Sequence, residues 1–366
     1  MRKRKQTKNS FMKNIVILMF AQVIIKIVGL IYKLYLTNKE GFGDKGNAIY
    51  SAGFQIYAIS LTLSSVGVPN AISSLVSAKT AIGDNRGAHR VFKIAIAIFG
   101  AIGFACSLML FLGAKQIAYK YLEIPEAEMT LIALSPSIFV VSVISVIRGY
   151  FNGRENITIT ANSQSFEQIS KTVFTIIMVE IISYISNKNT MLMAAGATIA
   201  TTLATVSCLF YLTAYYIKNK KEVWREVVSS TMQKKESIRK IIKNILIVTI
   251  PISLEALLSV LCKSIDAFTV VKISKKYLGD EIAKIQYGIL SGKIETLISI
   301  PFSFNMAFAT TLIPSISASI AKNDTKTAEK RIKFSILLSV LIRITVFCRN
   351  VYICKTNIKT IISKCM

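Results

Sequence analysis

The chain has 366 residues, 52% of them hydrophobic, with a mean hydropathy of +0.52 and a formal net charge of +26. Its apolar residues come in blocks of twenty or more rather than in narrow helical stripes, which excludes an ordinary water-soluble domain and indicates a multi-pass membrane protein. The Lys and Arg residues gather in alternate loops, so the charge follows from membrane topology and anionic lipid headgroups and calls for no nucleic-acid partner.

Spans are predicted at residues 11–36, 47–78, 91–113, 129–150, 160–186, 190–217, 244–271 and 285–321, with a weaker ninth at 334–347. Several exceed the roughly 20 residues that a crossing needs, so tilting or projection beyond the bilayer is expected. The segments on the N-terminal side of the membrane carry 26 Lys and Arg, against 9 on the other side, which places the N-terminus in the cytoplasm. The opening Met1-Arg2-Lys3-Arg4-Lys5 is like a signal-peptide start, but the apolar stretch after it is long and contains Lys26. An uncleaved first helix is expected.

Span 1 carries Lys26 and Lys33, seven residues and so about 20° apart around a helix. A basic side chain near mid-membrane costs about 2.5–3.5 kcal/mol on insertion scales, so it normally faces a partner or a wet cavity. The pair is expected to line an anion-handling site, with snorkelling to the outer headgroups as the plainer alternative. His89, the single histidine, is expected to be a solvated member of the basic loop after span 2. Arg148 closes span 4, where it can receive a phosphate from the inner leaflet or simply anchor the helix. Span 5 puts Gln164, Glu167, Gln168 and Lys171 on one stripe, with Glu167 and Lys171 spaced to pair; substrate lining and a structural clamp are both open. Glu180 is expected at the outer interface. Span 7 supplies Glu255, Lys263 and Asp266, a candidate group for a coupling cation or proton, or an internal salt bridge. Pro69, Pro301 and Pro314 interrupt long helices; Pro69 and Pro314 are the candidate hinges, ordinary kinks otherwise.

An internal repeat follows from spacing. Asp84, Arg86, Ala88, Arg90 and Lys93 return as Asp324, Lys326, Ala328, Lys330 and Lys333, each 240 positions on. The preceding Val68-Pro69 and Ile313-Pro314 stretches also look alike, so spans 2 and 8 are expected to correspond. Six spans separate them, an even number, which makes the two copies parallel and implies two lobes with a site between. The expected divisions are a six-helix lobe at 1–217, a basic linker at 218–243, a partial second lobe at 244–341 and an aberrant or out-of-frame tail at 342–366. On that view the second lobe is truncated.

Cys106, Cys208 and Cys262 fall in spans and Cys348, Cys354 and Cys365 near the end, without metal-ligand spacing, so neither a disulfide framework nor a metal site is expected. The sequence offers no phosphate loop, catalytic carboxylate pair or nucleophile triad, and no enzyme chemistry is expected. No cofactor is implied; membrane potential, Na+ and H+ stay open as the driving force.

Several motifs together carry a family resemblance across roughly residues 11–341. They are Gly29-Leu30-Ile31-Tyr32-Lys33 with Leu36-Thr37-Asn38, Gly46-Asn47 with Tyr50-Ser51, and Ser64-Ser65-Val66-Gly67-Val68-Pro69 with Ile72-Ser73. Arg148-Gly149-Tyr150-Phe151-Asn152-Gly153, then Gln164 with Glu167-Gln168, and Ala307-Phe308-Ala309 through Ile313-Pro314-Ser315-Ile316-Ser317 complete the set. With these the chain resembles the polysaccharide-exporter branch of the multidrug/oligosaccharidyl-lipid/polysaccharide (MOP) flippase superfamily, which includes MurJ-type lipid II flippases and stage V sporulation proteins of type B. The resemblance implies an all-α, two-lobed transporter with a central cavity lined by spans 1, 2, 7 and 8 and a basic residue at Lys33. It also implies twelve or more spans, more than are predicted here. The implied substrate is an undecaprenyl-diphosphate-linked saccharide, flipped across a bacterial cytoplasmic membrane by alternating access. A cation-coupled multidrug exporter and a non-transporting remnant are the alternatives.

Overall fold

The computed structural model describes residues 21–230, 236–279 and 312–344, apart from 22, 23, 26, 30, 338, 342 and 343 and from the side chains of 263–272, 274, 275 and 278. Among the described residues every regular element is a helix, and six are long and apolar enough to cross a membrane. Helix α1 is described over 21–38. It is followed by α2 (Gly43–Leu61), α3 (Val68–Ala81), α4 (Asn85–Gln116), α5 (Glu128–Gly153), α6 (Ile157–Ile185), α7 (Thr190–Val228) and α8 (Ile238–Leu278). Two further helices are α9 (Leu312–Ala321) and α10 (325–337). Lys26, the side chains of Lys263 and Asp266, Pro301, most of the span expected at 285–321 and most of the tail at 342–366 lie outside the described residues.

Local sequence sets where the helices start. Asp84 follows a turn at Gly83 (φ +84°), and its carboxylate accepts the Gly87 N–H at 2.7 Å to open α4. Asn189 accepts the N–H groups of Met191 and Leu192 at the head of α7, and Ser237 that of Lys240 at the head of α8. Pro69 lies in the first turn of α3, where its missing N–H costs nothing. Before it, Thr62–Val66 wind as a π-helix, so the irregularity in this long span precedes the proline. Helix α7 runs on to Val228, well into the stretch expected to be linker.

Turns alternate between the two ends of the bundle. Ser230 donates to the Gly83 carbonyl and Lys79 pairs with Glu236 at 2.8 Å, joining the α3–α4 and α7–α8 turns at the basic end. At the opposite end Thr190 donates to the Gly41 carbonyl, and Lys188 pairs with Glu40 at 2.7 Å.

Lipid is as apolar as a leucine side chain, so helices in it associate through close packing of small residues. Helices α3 and α5 show this directly. A Cβ on Gly149 would fall 2.9 Å from the Pro69 carbonyl, and one on Gly153 would fall 2.8 Å from that of Ser73. Around this contact Ile72, Val76, Phe92, Ile144, Tyr150 and Leu212 are buried, and Ile241 and Ile245 of α8 join them. Large apolar side chains such as Met109, Leu112 and Phe210 point outward, as a lipid-facing surface requires. His89 corrects an expectation. It is 7% exposed and packs against Phe92 and Tyr150, because the Asp84 cap starts α4 ahead of it and the helix turns it toward α5.

The repeat is visible bond by bond. The N–H groups of Asp84 and Asp324 donate to the carbonyls of Lys79 and Ser319, and those of Gly83 and Asn323 to Thr80 and Ile320. Asn323 shares the left-handed backbone of Gly83, at φ +59°, and Asp324 caps α10 through the Thr327 N–H as Asp84 caps α4. Between the copies, the Ser74 and Ser317 hydroxyls meet at 2.7 Å and Ser77 donates to the Pro314 carbonyl at 2.6 Å. Adding 240 to Ser74 gives Pro314, and adding it to Ser77 gives Ser317. The repeat operation therefore exchanges the two contacts, the signature of a two-fold relation between α3 and α9. It also corrects the matching of the prolines: Pro314 is the counterpart of Ser74, not of Pro69.

Candidate functional site

Five helices place polar side chains together inside the bundle. Arg148, near the basic end of α5, donates from Nη2 to Glu167 Oε2 at 2.7 Å and to Cys208 Sγ at 3.3 Å, and from Nε to Ser163 Oγ at 2.9 Å. Ser163 and Glu167 are one turn apart on α6, so a single planar guanidinium reaches both. The Arg148 and Glu167 side chains are only 11% and 25% exposed, so each charge depends on the other.

Lys171 sits one turn beyond Glu167, yet it does not form the i, i+4 pair that its spacing allows. Its Nζ lies 4.5 Å from the ring centre of Phe54 on α2 and 5.5 Å from that of Tyr32 on α1. The reason is competition: Arg148 already holds the Glu167 carboxylate, and the aromatic faces take the remaining cation. Tyr32, which faces this ammonium, directly precedes Lys33 on α1. Lys33 itself is half-buried, and Thr37 donates to its carbonyl at 2.9 Å. Gly29 brings α1 against α6, since a Cβ there would stand 3.4 Å from Gln168 Nε2.

The structure therefore joins Arg148 to Glu167 and sets Lys171, one turn on, against Tyr32, the residue before Lys33. Glu255 is exposed on α8. At the opposite end Glu180 is exposed and holds Lys39 at 2.6 Å and the Tyr35 hydroxyl, which fastens α1 to α6. No group of three metal-binding side chains occurs among the described residues. Sequence reasoning missed Phe54, Ser163, Cys208 and the role of Tyr32. Tyr32 stands beside Lys33 in the motif, but the others reach the cluster only through helix packing. It also missed Gly67, where a Cβ would lie 2.6 Å from Ser253 Oγ and where α8 meets the π-helical break.

A buried ammonium over two aromatic rings, with a second lysine on the neighbouring helix, can attract an anion that has several oxygens. The comparisons with known proteins bear on which one. Residues 11–320 match a family described as polysaccharide biosynthesis protein. The chain belongs to that family. Stage V sporulation protein B of Bacillus subtilis is 23% identical over 335 residues, covering 91% of this chain and 63% of its own length. Lipid II flippase MurJ of the same organism is 24% identical over 324 residues, covering 86% and 59%. The chain thus spans about three-fifths of the length of these curated relatives. A solved outward-facing multidrug resistance MATE family transporter of the MOP superfamily superposes with a TM-score of 0.69 at 15% identity, over 94% of this chain and 72% of that one. The fold is accordingly the all-α membrane fold of MATE transporters.

Proposed function

We propose that this chain handles undecaprenyl-diphosphate-linked saccharides, such as the peptidoglycan precursor lipid II or a related polysaccharide unit. In this reading they are turned from the inner to the outer leaflet of a bacterial cytoplasmic membrane by alternating access between two like-oriented lobes. The excess of Lys and Arg supports a cytoplasmic basic end and N-terminus. Residues 1–217 form one lobe, 218–243 the connection and 244–341 part of the other.

The observation that carries the proposal is the Lys171 ammonium held over the rings of Phe54 and Tyr32, with the half-buried Lys33 next to Tyr32 on α1. Charges attract more strongly where water is scarce, and a diphosphate offers oxygens to two ammonium groups at once. Its sequence spacing, seven residues before Lys33, makes Lys26 a further candidate for the diphosphate. Glu167 and Arg148 border the site, with their pair open to exchange for a phosphate. Pro69 and Pro314 sit where α3 and α9 would tilt, and Glu255, Lys263 and Asp266 are the candidates for coupling to Na+, H+ or the membrane potential. A relative that bears the name lipid II flippase supports the substrate class.

Lipid retention tests this. Native mass spectrometry of the purified chain should show an undecaprenyl-diphosphate-linked disaccharide held at least tenfold better than phosphatidylglycerol. The variant Lys33→Ala/Lys171→Ala should lose most of that preference. Equal retention of both lipids by the unaltered chain would refute the proposal.

A further inference from the structure

The outward side of α7 carries exposed apolar residues seven apart, at Leu203, Phe210, Ile217 and Trp224, and Val228 follows one turn on. Seven residues bring a helix round to within about 20° of the same direction, so these side chains form one stripe. The stripe does not stop where the apolar sequence gives way to charged residues, but runs on through the extension to Val228. Ile217, Trp224 and Val228 are each more than half exposed. They cannot turn inward, because Val223 and Val227, on the face toward the bundle, are buried with Ile241 and Ile245 of α8.

Neighbouring turns fix the depth of this segment. Asn156, in the α5–α6 turn, donates to the Tyr215 hydroxyl at 3.4 Å, and Arg154 of the same turn reaches Glu226. Ser230 donates to the Gly83 carbonyl in the α3–α4 turn. From Tyr215 to Ser230 the helix rises roughly 22 Å at 1.5 Å per residue, and over that length its neighbours end and turn back. The stripe from Ile217 to Val228 therefore passes through the zone where the bundle leaves the hydrocarbon, at the basic end.

The charges in this zone choose the occupant. Lys218, Lys221 and Arg225, spaced i, i+3 and i+7, form a second stripe beside the apolar one, and Lys220 flanks its other side; all four are exposed. Among the exposed residues from 217 to 228 the only acid is Glu222, since Glu226 is drawn inward by Arg154. An apolar stripe alone suits lipid tails or another helix. With four cations beside it at headgroup depth, it suits a surface that is apolar below and negative above. Tryptophan favours that boundary, where its ring is apolar and its N–H meets water, and Lys and Arg lay their stems along it toward phosphates. We propose that this face binds the phosphates of anionic phospholipids in the inner leaflet, with Lys221 and Arg225 on the phosphate and Trp224 at the edge of the acyl chains. Each basic residue near such a surface strengthens the attraction about fivefold. The site goes beyond the function proposed above and holds whatever substrate the chain handles.

Trp224 is the single tryptophan of the chain, so its fluorescence reports on this face alone. In vesicles of equal parts phosphatidylglycerol and phosphatidylcholine containing the full chain, bromine on the acyl chains of the first lipid should quench it at least twofold more than bromine on the second. Lys221→Gln/Arg225→Gln should bring that ratio close to one, and high salt should lower it by screening exposed charges. Lys326→Gln/Lys330→Gln removes two exposed charges from α10 and should leave the ratio unchanged, which separates a local contact from net charge. Lys33→Ala/Lys171→Ala should leave it unchanged as well, so this site and the proposed diphosphate site stand or fall separately. Equal quenching by the two lipids, quenching by aqueous iodide but by neither lipid, or a ratio that follows either control pair would each overturn the proposal. So would lipid quenching that vanishes as the protein-to-lipid ratio rises, which would place a second copy of the chain on the stripe.

Discussion

Arg148 gathers a carboxylate, a hydroxyl and a thiol from two neighbouring helices, and this crowding sets what substitution does there. Arg148→Met or Glu167→Leu alone leaves one buried charge unpaired and should cost roughly 3–5 kcal/mol, whereas the two together should cost less than their sum. Unfolding of all three variants in one detergent measures this. Lys171→Met behaves differently. It removes a cation from two ring faces, worth about 0.5–1 kcal/mol, so stability should change little while the preference for diphosphate lipid falls at least tenfold. The stripe Gln164, Glu167, Gln168, Lys171 is legible in sequence because it depends on the period of one helix. The partner of Glu167 is not, because Arg148 arrives from α5 and its planar fork outcompetes the neighbour in sequence. His89 fails for the same reason: only α5, through Tyr150, shows that it is buried.

At the scale of elements, backbone approach matters more than apolar area. A methyl group added at Gly149 or Gly153 meets Pro69, Ile72, Ser73 or Val76 under 3 Å, and overpacking of this kind costs typically 1–3 kcal/mol. Gly100, in the middle of α4, has nothing within 4 Å, so Gly100→Ala should hold or raise stability by up to about 1 kcal/mol. Melting temperatures in the same detergent should separate the two classes, with Gly149→Ala and Gly153→Ala below the parent and Gly100→Ala at or above it. Span positions are legible because lipid demands long apolar runs. Span ends are less so: α7 continues to Val228 as a helix of charged residues, on which hydropathy is silent. The basic loops reveal the repeat because capping fixes Asp84 and Asp324 in register, but the prolines mislead because nothing in the loops requires Pro69 and Pro314 to be equivalent.

For the molecule as a whole, the two-fold relation between α3 and α9 is where the proposed alternating access would act. The seal consists of short polar contacts between serines and a carbonyl, which can part without exposing a large apolar surface. With the six native cysteines replaced, Ser74→Cys/Ser317→Cys should cross-link on oxidation, stop translocation and release it on reduction. Unchanged transport in the cross-linked protein would mean that this seal does not open. The decisive measurement is the rate at which a fluorescent undecaprenyl-diphosphate-linked saccharide crosses vesicles containing the chain. It should exceed the rate in protein-free vesicles and fall at least tenfold in Lys33→Ala/Lys171→Ala; equal rates in the parent and the variant, or no rate above protein-free vesicles, would contradict a basic site for a phosphorylated lipid.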